Sequence, residues 1–586
     1  MFEVVVGIDF GSSGSGFAYS FFDKNKIIHG QIYGAPVDHK VPTEIILDNN
    51  NNVIQFGSNC ANFLKERGLE TGHYFKSIKM ELYENKATIV AKNSGKELPL
   101  KLVIQKVLET IKEIAIEEIS KIRPYIKNKT ENFKWVVTVP AIWNEHQKSV
   151  MMESCVAAGL VHNTTDKSLF FALEPEAASL YCSVNKEIDR NYFNKGEYYI
   201  ICDLGGGTGD IVAHLVGSNN CLNEISPSCG GNFGSNEIDK YIFKDIIFKL
   251  FGCGDFNTFY TKYNKRNVIN GMDVENDKAE LCNDWYELER QIKDFKESIK
   301  ISKIENYEKY VINCSLFQDI FDDDIELNDL VNEYNDNVND NNIKVSVRIS
   351  KKKWMVEFPY QIIFNYMKTQ ANSICEIINK INKKEKKIKT VIFVGGYCSN
   401  EIIVNLIKNN LKNVNTYLQP SNPSLTIMEG AVLFGIEPST INIRKAKYTI
   451  GERVNDVWDD KKHSERGEKY FNENFQDWYC YDCFLTFVKI NQDVRYEETI
   501  SHSSYSKKAA TSIKLVFYKT KKPNPIFSFE EDVIKIGECS LELDETYEDL
   551  EDRKIDTTMK FGGTFSDVTA KHIKSGKSVK TTLTFD

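Results

Sequence analysis

Three successive glycines placed directly after a strand constrain this chain more than any other feature. The stretch is Asp203-Leu204-Gly205-Gly206-Gly207-Thr208-Gly209-Asp210. It follows Tyr198-Tyr199-Ile200-Ile201-Cys202, a short apolar run rich in aromatic and β-branched residues, which reads as a buried strand. Asp203 therefore stands where a strand ends. The glycines carry no Cβ, so the backbone can turn sharply and approach a ligand closely. Backbone N–H groups in such a turn can face an anion. Thr208 adds a hydroxyl. Taken alone, the run is equally compatible with an ordinary tight turn.

The N-terminus tips that balance. Val4-Val5-Val6-Gly7-Ile8 leads into Asp9, and Gly11-Ser12-Ser13-Gly14-Ser15-Gly16 follows. This is the same device: an apolar strand, an Asp at its end, then small residues. Two such loops point to two similar lobes closing on one nucleotide. A third element fits the plan, since Val391-Ile392-Phe393-Val394 ends in Gly395-Gly396-Tyr397-Cys398-Ser399.

These three loops resemble the phosphate-1, phosphate-2 and adenosine motifs of the actin, hexokinase and heat-shock-70 ATPase superfamily. The flanking segments are similar to those of the heat-shock-70 chaperones. Val136-Val137-Thr138-Val139-Pro140-Ala141 resembles that family's connecting segment, Ala157-Ala158-Gly159-Leu160 its continuation, and Leu173-Glu174-Pro175-Glu176-Ala177-Ala178 its Glu-Pro-x-Ala-Ala helix start. The matches keep the family's order and cover roughly residues 1 to 440. The implied fold is an α/β two-lobed, actin-like ATPase, a duplicated ribonuclease-H-like fold. Lobe I is expected at 1–195 and lobe II at 196–440.

After Gly435 the text departs from ordinary heat-shock-70 chaperones. Their acidic, leucine-rich linker is absent. Ile443-Arg444-Lys445-Ala446-Lys447-Tyr448-Thr449-Ile450-Gly451 resembles the divergent heat shock 70 kDa protein 12 branch, as does Phe75-Lys76-Ser77-Ile78-Lys79-Met80. Short alternating runs such as Phe484–Val488, Thr511–Tyr518 and Thr581–Phe585 read as strands. A β-sandwich-like, substrate-binding-like domain is expected at 441–586, with no room for a helical lid.

The resemblance implies roles for particular residues. Lys79, with Lys76 behind it, stands where the family carries a catalytic lysine at the γ-phosphate. Glu174 would orient water or magnesium, although an acid at a helix start also suits the helix dipole. Gly234 is retained in a loop where Ser235 replaces a glycine. Lys296 is the one matching residue on the helix that grips adenosine; Lys293 and Glu297 depart from the pattern. Gly395 and Gly396 keep the adenosine turn. Tyr397 and Ser399 replace the family's Ser and Arg, and Tyr397 offers a ring that could stack on a base.

Asp9 and Asp203 cannot both face a triphosphate without a cation. At contact distance like charges repel by about 1 kcal/mol in water and about 4 at a partly buried site. Magnesium takes one or two carboxylates plus phosphate oxygens and keeps several waters. The expected ligand is therefore Mg-ATP or ADP, with Asp9 and Asp203 holding hydrated Mg2+. Amides of Gly11, Ser12, Ser13 and Gly14, and of Gly205, Gly206, Gly207 and Thr208, would hold phosphates. Lys79, Glu174, Asp203 and Thr208 would act in a slow hydrolysis, where positioning and charge stabilisation dominate.

Composition narrows the classes. A formal charge of −9 over 586 residues argues against a general nucleic-acid binder. No apolar stretch is long enough to cross a bilayer, and no signal peptide is visible. Fourteen scattered cysteines read as reduced thiols of a cytoplasmic protein. Cys480-Tyr481-Asp482-Cys483 is a lone Cys-x-x-Cys without a second pair nearby, so it reads as core rather than as zinc. The Asp/Asn-rich stretch 319–342 reads as a loop insertion. The leading expectation is an ATP-switched chaperone engaging a client polypeptide or partner protein through the β domain, with a nucleotide-exchange partner, no nucleic acid and no membrane. A non-catalytic nucleotide-dependent scaffold or signalling adaptor is the second reading, and a small-molecule kinase the third.

Overall fold

A computed structural model describes residues 2–582 apart from 24–25, 33–39, 68–71, 128, 165, 256–257, 260, 264–273, 323, 349–352, 386, 509, 544–545 and 562–566. The first sheet has at its centre β1 (Val4–Asp9), β2 (Gly14–Phe21), β3 (Phe133–Val139) and β4 (Leu169–Leu173), with short two-residue strands pairing on β2. β1 runs antiparallel to β2 and parallel to β3, and β3 is parallel to β4. β1 and β3 are buried at every position, which is why both read as continuous apolar runs. Helices α1 (Ile78–Tyr83) and α2 (Leu100–Ile122) belong to this lobe. α2 buries Val103, Val107, Ile111, Ala115 and Ile119 on one stripe.

The second sheet repeats the pattern. β5 (Tyr198–Leu204) runs antiparallel to β6 (Gly209–Val216), which pairs antiparallel with β7 (Leu222–Gly231). On its other side β5 is parallel to β8 (Thr390–Val394), and β8 to β9 (Thr416–Leu418). Each lobe thus has a glycine-looped hairpin with two parallel strands beyond it, the arrangement expected of a duplicated fold. Between the sheets lie α3 (Glu174–Val184) and α7 (Thr426–Ile436). One buried cluster joins Val5 and Val136 of the first sheet, Tyr199, Ile201 and Val394 of the second, and Ala177, Met428 and Ala431 of these helices.

Lobe II also carries α4 (Val274–Glu297), α5 (Leu327–Asp336) and α6 (Gln361–Lys384). α5 corrects the expected loop at 319–342: Leu327 and Val331, one turn apart, are buried against the lobe II core. Leu330 and Tyr334 pack beside them half-buried, so an apolar stripe pins a helix whose remaining positions are Asn, Asp and Glu.

The remaining chain enters without a free linker. β10 (Ile441–Lys445) pairs in parallel with β7, extending the lobe II sheet. After it come β11 (Thr449–Val457), a four-residue helix α8 (Asp460–His463), β12 (Lys469–Asn472) and β13 (Asp477–Val488). β14 (Asp493–Arg495) pairs back onto β10. Then follow β15 (Thr499–Tyr505), β16 (Ser512–Thr520), β17 (Ile534–Glu542), β18 (Lys554–Lys560), β19 (Asp567–His572) and β20 (Ser578–Thr582). They form two sheets, in the orders β12-β13-β11-β16-β17 and β15-β18-β19-β20. Phe487, Leu515 and Phe517 of one sheet share a core with Ile555, Met559 and Val568 of the other.

Candidate functional site

The site forms where the two hairpin loops meet. Asp9 ends β1, and Asp203 is the penultimate residue of β5, just before the glycines. The loops touch across the lobes: a Cβ on Gly206 would sit 1.8 Å from Ser13 Oγ. The Gly234 loop braces this contact from behind. Ser235 N–H donates to Gly205 O at 3.2 Å and Asn236 N–H to Gly206 O at 2.8 Å. Ser13 Oγ donates to Asn236 Oδ1 at 3.2 Å. Thr43 Oγ1 donates to Gly11 O at 2.7 Å, fixing the first loop. Thr208 is buried, and its carbonyl accepts Gly205 N–H at 3.0 Å.

Four buried carboxylates and two ammonium groups line this junction. Asp9 accepts from Lys40 Nζ at 2.5 Å and from Thr138 Oγ1 at 3.3 Å. Glu174 forms a buried ion pair with Lys79. Asp210 accepts the Ile142 N–H at 3.0 Å. Asp203 Oδ1 is buried and has no hydrogen-bond partner among the described residues. Burial, then the nearby Glu174, Asp210 and Asp9 charges, push the Asp203 carboxyl well above its usual range. Burial and Glu174 raise Asp210 to about 7. Burial raises Glu174 too, and outweighs the attraction of Lys79.

An unpartnered buried oxygen within an excess of carboxylate is the environment a divalent cation relieves. Asp9 and Asp203 are hard oxygen donors of the kind magnesium takes, so these residues fit that ion. Room for it is preserved by Gly395. Its φ is +87°, and a Cβ there would fall 2.4 Å from Asp203 Oδ1. Gly396 has open space on its Cβ side.

The two lysine candidates separate sharply. Lys79 is 3% exposed, with Nζ 5.8 Å from the Trp143 ring centroid as well as against Glu174. Lys76 instead pairs with Glu289 of α4 in a partly buried setting. Lys296 is buried and donates to Asp239 at 2.5 Å and to Ser235 O at 3.3 Å, so it ties α4 to the Gly234 loop. Lys293 and Glu297 pair with each other in solvent at 3.8 Å.

Tyr397 differs from its expected use. It is 5% exposed within the lobe II core, and its hydroxyl donates to Gln370 Oε1 at 2.9 Å. Gln370 Nε2 in turn reaches Gly234 O at 3.2 Å. The ring face that a base would cover is already covered by protein.

Lys40, Thr138, Asp210, Asn236 and Gln370 were not singled out from the sequence. Asp210 was open to detection, because it faces Asp203 across the hairpin. Lys40 had no local signal; only folding sets it against Asp9.

The helix bearing Glu174 also meets the C-terminal strands. Arg444 of β10 donates from Nε and Nη2 to Glu176, at 2.7 and 2.6 Å. Lys445 N–H donates to Glu224 Oε2 at 2.9 Å, and Lys447 to Ala141 O. A cavity of about 180 Å³ lies at this junction, between Trp143 and Leu173 on one side and Tyr448, Val488 and Phe561 on the other.

A scan of known protein families finds none that matches the chain. Individual proteins do match. The whole chain is 26% identical over 658 residues to heat shock 70 kDa protein 12A of Homo sapiens, covering 92% of it. It is 25% identical over 666 residues to heat shock 70 kDa protein 12B of Homo sapiens, covering 91% of it. A shorter match of 27% over 248 residues, 41% of this chain and 37% of the relative, is to a chaperone protein HscA homolog of Rickettsia bellii.

Proposed function

The chain is a heat-shock-70-family protein that resembles the divergent heat shock 70 kDa protein 12 branch, and from that premise we propose an Mg-ATP-dependent switch acting on the C-terminal β domain. The observation that carries this reading is the buried Asp203 oxygen that has no partner among the described residues, between two apposed glycine loops. Asp9 and Asp203 would hold the hydrated magnesium. When bound, that ion would neutralise phosphate charge as it develops. Loop amides of Gly11 to Gly14 and of Gly205 to Thr208 would hold phosphate oxygens. Lys79 would balance charge at the γ-phosphate, and Glu174 and Thr208 would orient the attacking water. Lys296 braces the loop that closes the adenosine side.

Slow hydrolysis and chaperone action extend this reading. Arg444 joins the β domain to the first turn of the helix that presents Glu174, which supports mechanical communication between nucleotide and client. Client or partner polypeptides would be met by residues 441–586.

A second reading, a nucleotide-dependent scaffold without turnover, is favoured by the adenosine side. There Tyr397 is committed to Gln370 and Lys296 to Asp239. Calorimetric titration with Mg-ATP and Mg-ADP, followed by single-turnover hydrolysis, separates the two. Binding with slow turnover supports the chaperone-type ATPase. Binding without turnover supports the scaffold. No binding of either nucleotide overturns both.

A further inference from the structure

The C-terminal strands bring together three groups that stand apart in the sequence. In a regular strand, residues three apart face opposite sides. Cys480 and Cys483 share β13, yet Asp482 between them has φ +54°, and the pairing with β11 slips between Val454 and Asp456. That bulge turns both sulfurs to one side. His463, the last residue of α8, meets them there, with Nε2 3.8 Å from Cys483 Sγ. The three donor atoms lie within 4.8 Å of one another.

The surroundings are shaped around these atoms. Cys480, Cys483 and His463 are 0%, 3% and 3% exposed. Gly467 lets the α8–β12 loop close over them, since a Cβ there would sit 2.7 Å from Cys480 Sγ. Trp458 and Phe527 wall the imidazole, with ring centroids 5.6 and 5.9 Å away. Phe527 also bridges to Cys483.

We propose that Cys480, Cys483 and His463 form a binding site for a soft d10 metal ion, zinc(II) in the first instance. Two thiolates and one imidazole are a common zinc donor set, with water in the fourth position. Zn–S near 2.3 Å and Zn–N near 2.0 Å place tetrahedral donors about 3.5–3.8 Å apart, so the observed spacing closes with small side-chain movements. Copper(I) shares this donor preference and needs fewer ligands.

Asp459 N–H donates to His463 Nδ1 at 3.0 Å, so the ring hydrogen sits on Nε2 and faces the sulfurs. Metal binding at Nε2 moves that hydrogen to Nδ1 and breaks the Asp459 bond. Each thiol gives its proton to solvent. One zinc ion plus two thiols yields a zinc dithiolate and two protons. The ion would staple α8, its following loop and β13 into one unit.

The test is titration of the full chain, kept reduced and stripped with a chelator, using Co(II), Zn(II) and Cu(I). Expected are one equivalent bound, thiolate-to-cobalt charge-transfer absorption, and about two protons released per zinc. Cys480→Ser with Cys483→Ser abolishes the band, and His463→Ala weakens zinc binding at least tenfold. Cys229→Ser, on an exposed thiol elsewhere, leaves it unchanged. Copper(I) binding at the same cysteines without zinc binding would assign the monovalent ion to this site. The wild-type titration needs no variant to fold. Absence of stoichiometric metal, an unchanged band in the double-serine chain, or a Cys480–Cys483 disulfide that persists under reductant would overturn the site.

Discussion

Glu176 accepts both arms of Arg444, at 2.7 and 2.6 Å, two residues after the Glu174 that holds Lys79. One helical turn thus carries two buried ion pairs, one toward the candidate nucleotide site and one toward the β strands. The arrangement makes the first turn of α3 a rigid contact between them.

Arg444→Ala leaves Glu176 buried and unpaired. Removing one partner of such a pair costs about 3–5 kcal/mol, whereas replacing both by apolar groups is often neutral. Denaturant unfolding should show that loss for Arg444→Ala and its recovery in Arg444→Met with Glu176→Leu. Equal destabilisation by the single and double variants would show that Arg444 also holds Glu224, whose charge it faces.

Lys79 and Lys76 give a contrast within one segment. Lys79→Ala strands a buried Glu174 and should cost about 3–5 kcal/mol. Lys76→Ala breaks a partly buried pair with Glu289 and should cost less, on the order of 1 kcal/mol. Nucleotide turnover should fall only for the Lys79 variant. Parallel losses in both would remove the distinction.

Asp203 stands among like charges, so Asp203→Asn should raise the thermal midpoint of the nucleotide-free chain. The same substitution should abolish the further rise produced by Mg-ATP. A lower midpoint without nucleotide, or an undiminished Mg-ATP shift, would show that Asp203 is not the cation ligand.

Gly395→Ala forces a side chain onto φ +87° and a Cβ within 2.4 Å of Asp203 Oδ1. Backbone strain of this kind costs about 1–3 kcal/mol. The expected outcome is that loss in unfolding free energy together with weaker Mg-ATP binding by calorimetry. A variant as stable as the parent would show that the β8 turn can shift.

Burial raises Asp210, Glu224 and Glu452 each to about 7. Their unfolded values lie near 4. The stability of their protonated, buried forms is complete below about pH 4 and lost as pH rises through 7, by up to about 1.4 kcal/mol per pH unit for each group. Thermal midpoints measured without nucleotide should therefore fall between about pH 4 and 7 and level off above that. Glu452→Gln should flatten that slope by one group's share; a midpoint that rises across this window would contradict the sign.

Much of the architecture was legible before folding. Apolar runs ending in Asp and glycine located β1, β5 and β8, because buried strands and tight turns demand those residues locally. The Glu-Pro start of α3 was legible for the same reason. The Asp/Asn stretch at 319–342 was not, because composition hid the apolar residues that anchor α5.

What the sequence by itself determined is the set of local devices: two strand–Asp–glycine hairpins, their third companion, and the order that makes two lobes of them. Tertiary structure alone decided who meets whom. It set Lys40 on Asp9, Arg444 on Glu176, and His463 beside Cys480 and Cys483, and it turned Tyr397 into the core. The reason is physical: backbone preference and periodicity are written over a few neighbouring residues, whereas burial, charge pairing and ligand geometry depend on groups that only packing brings together.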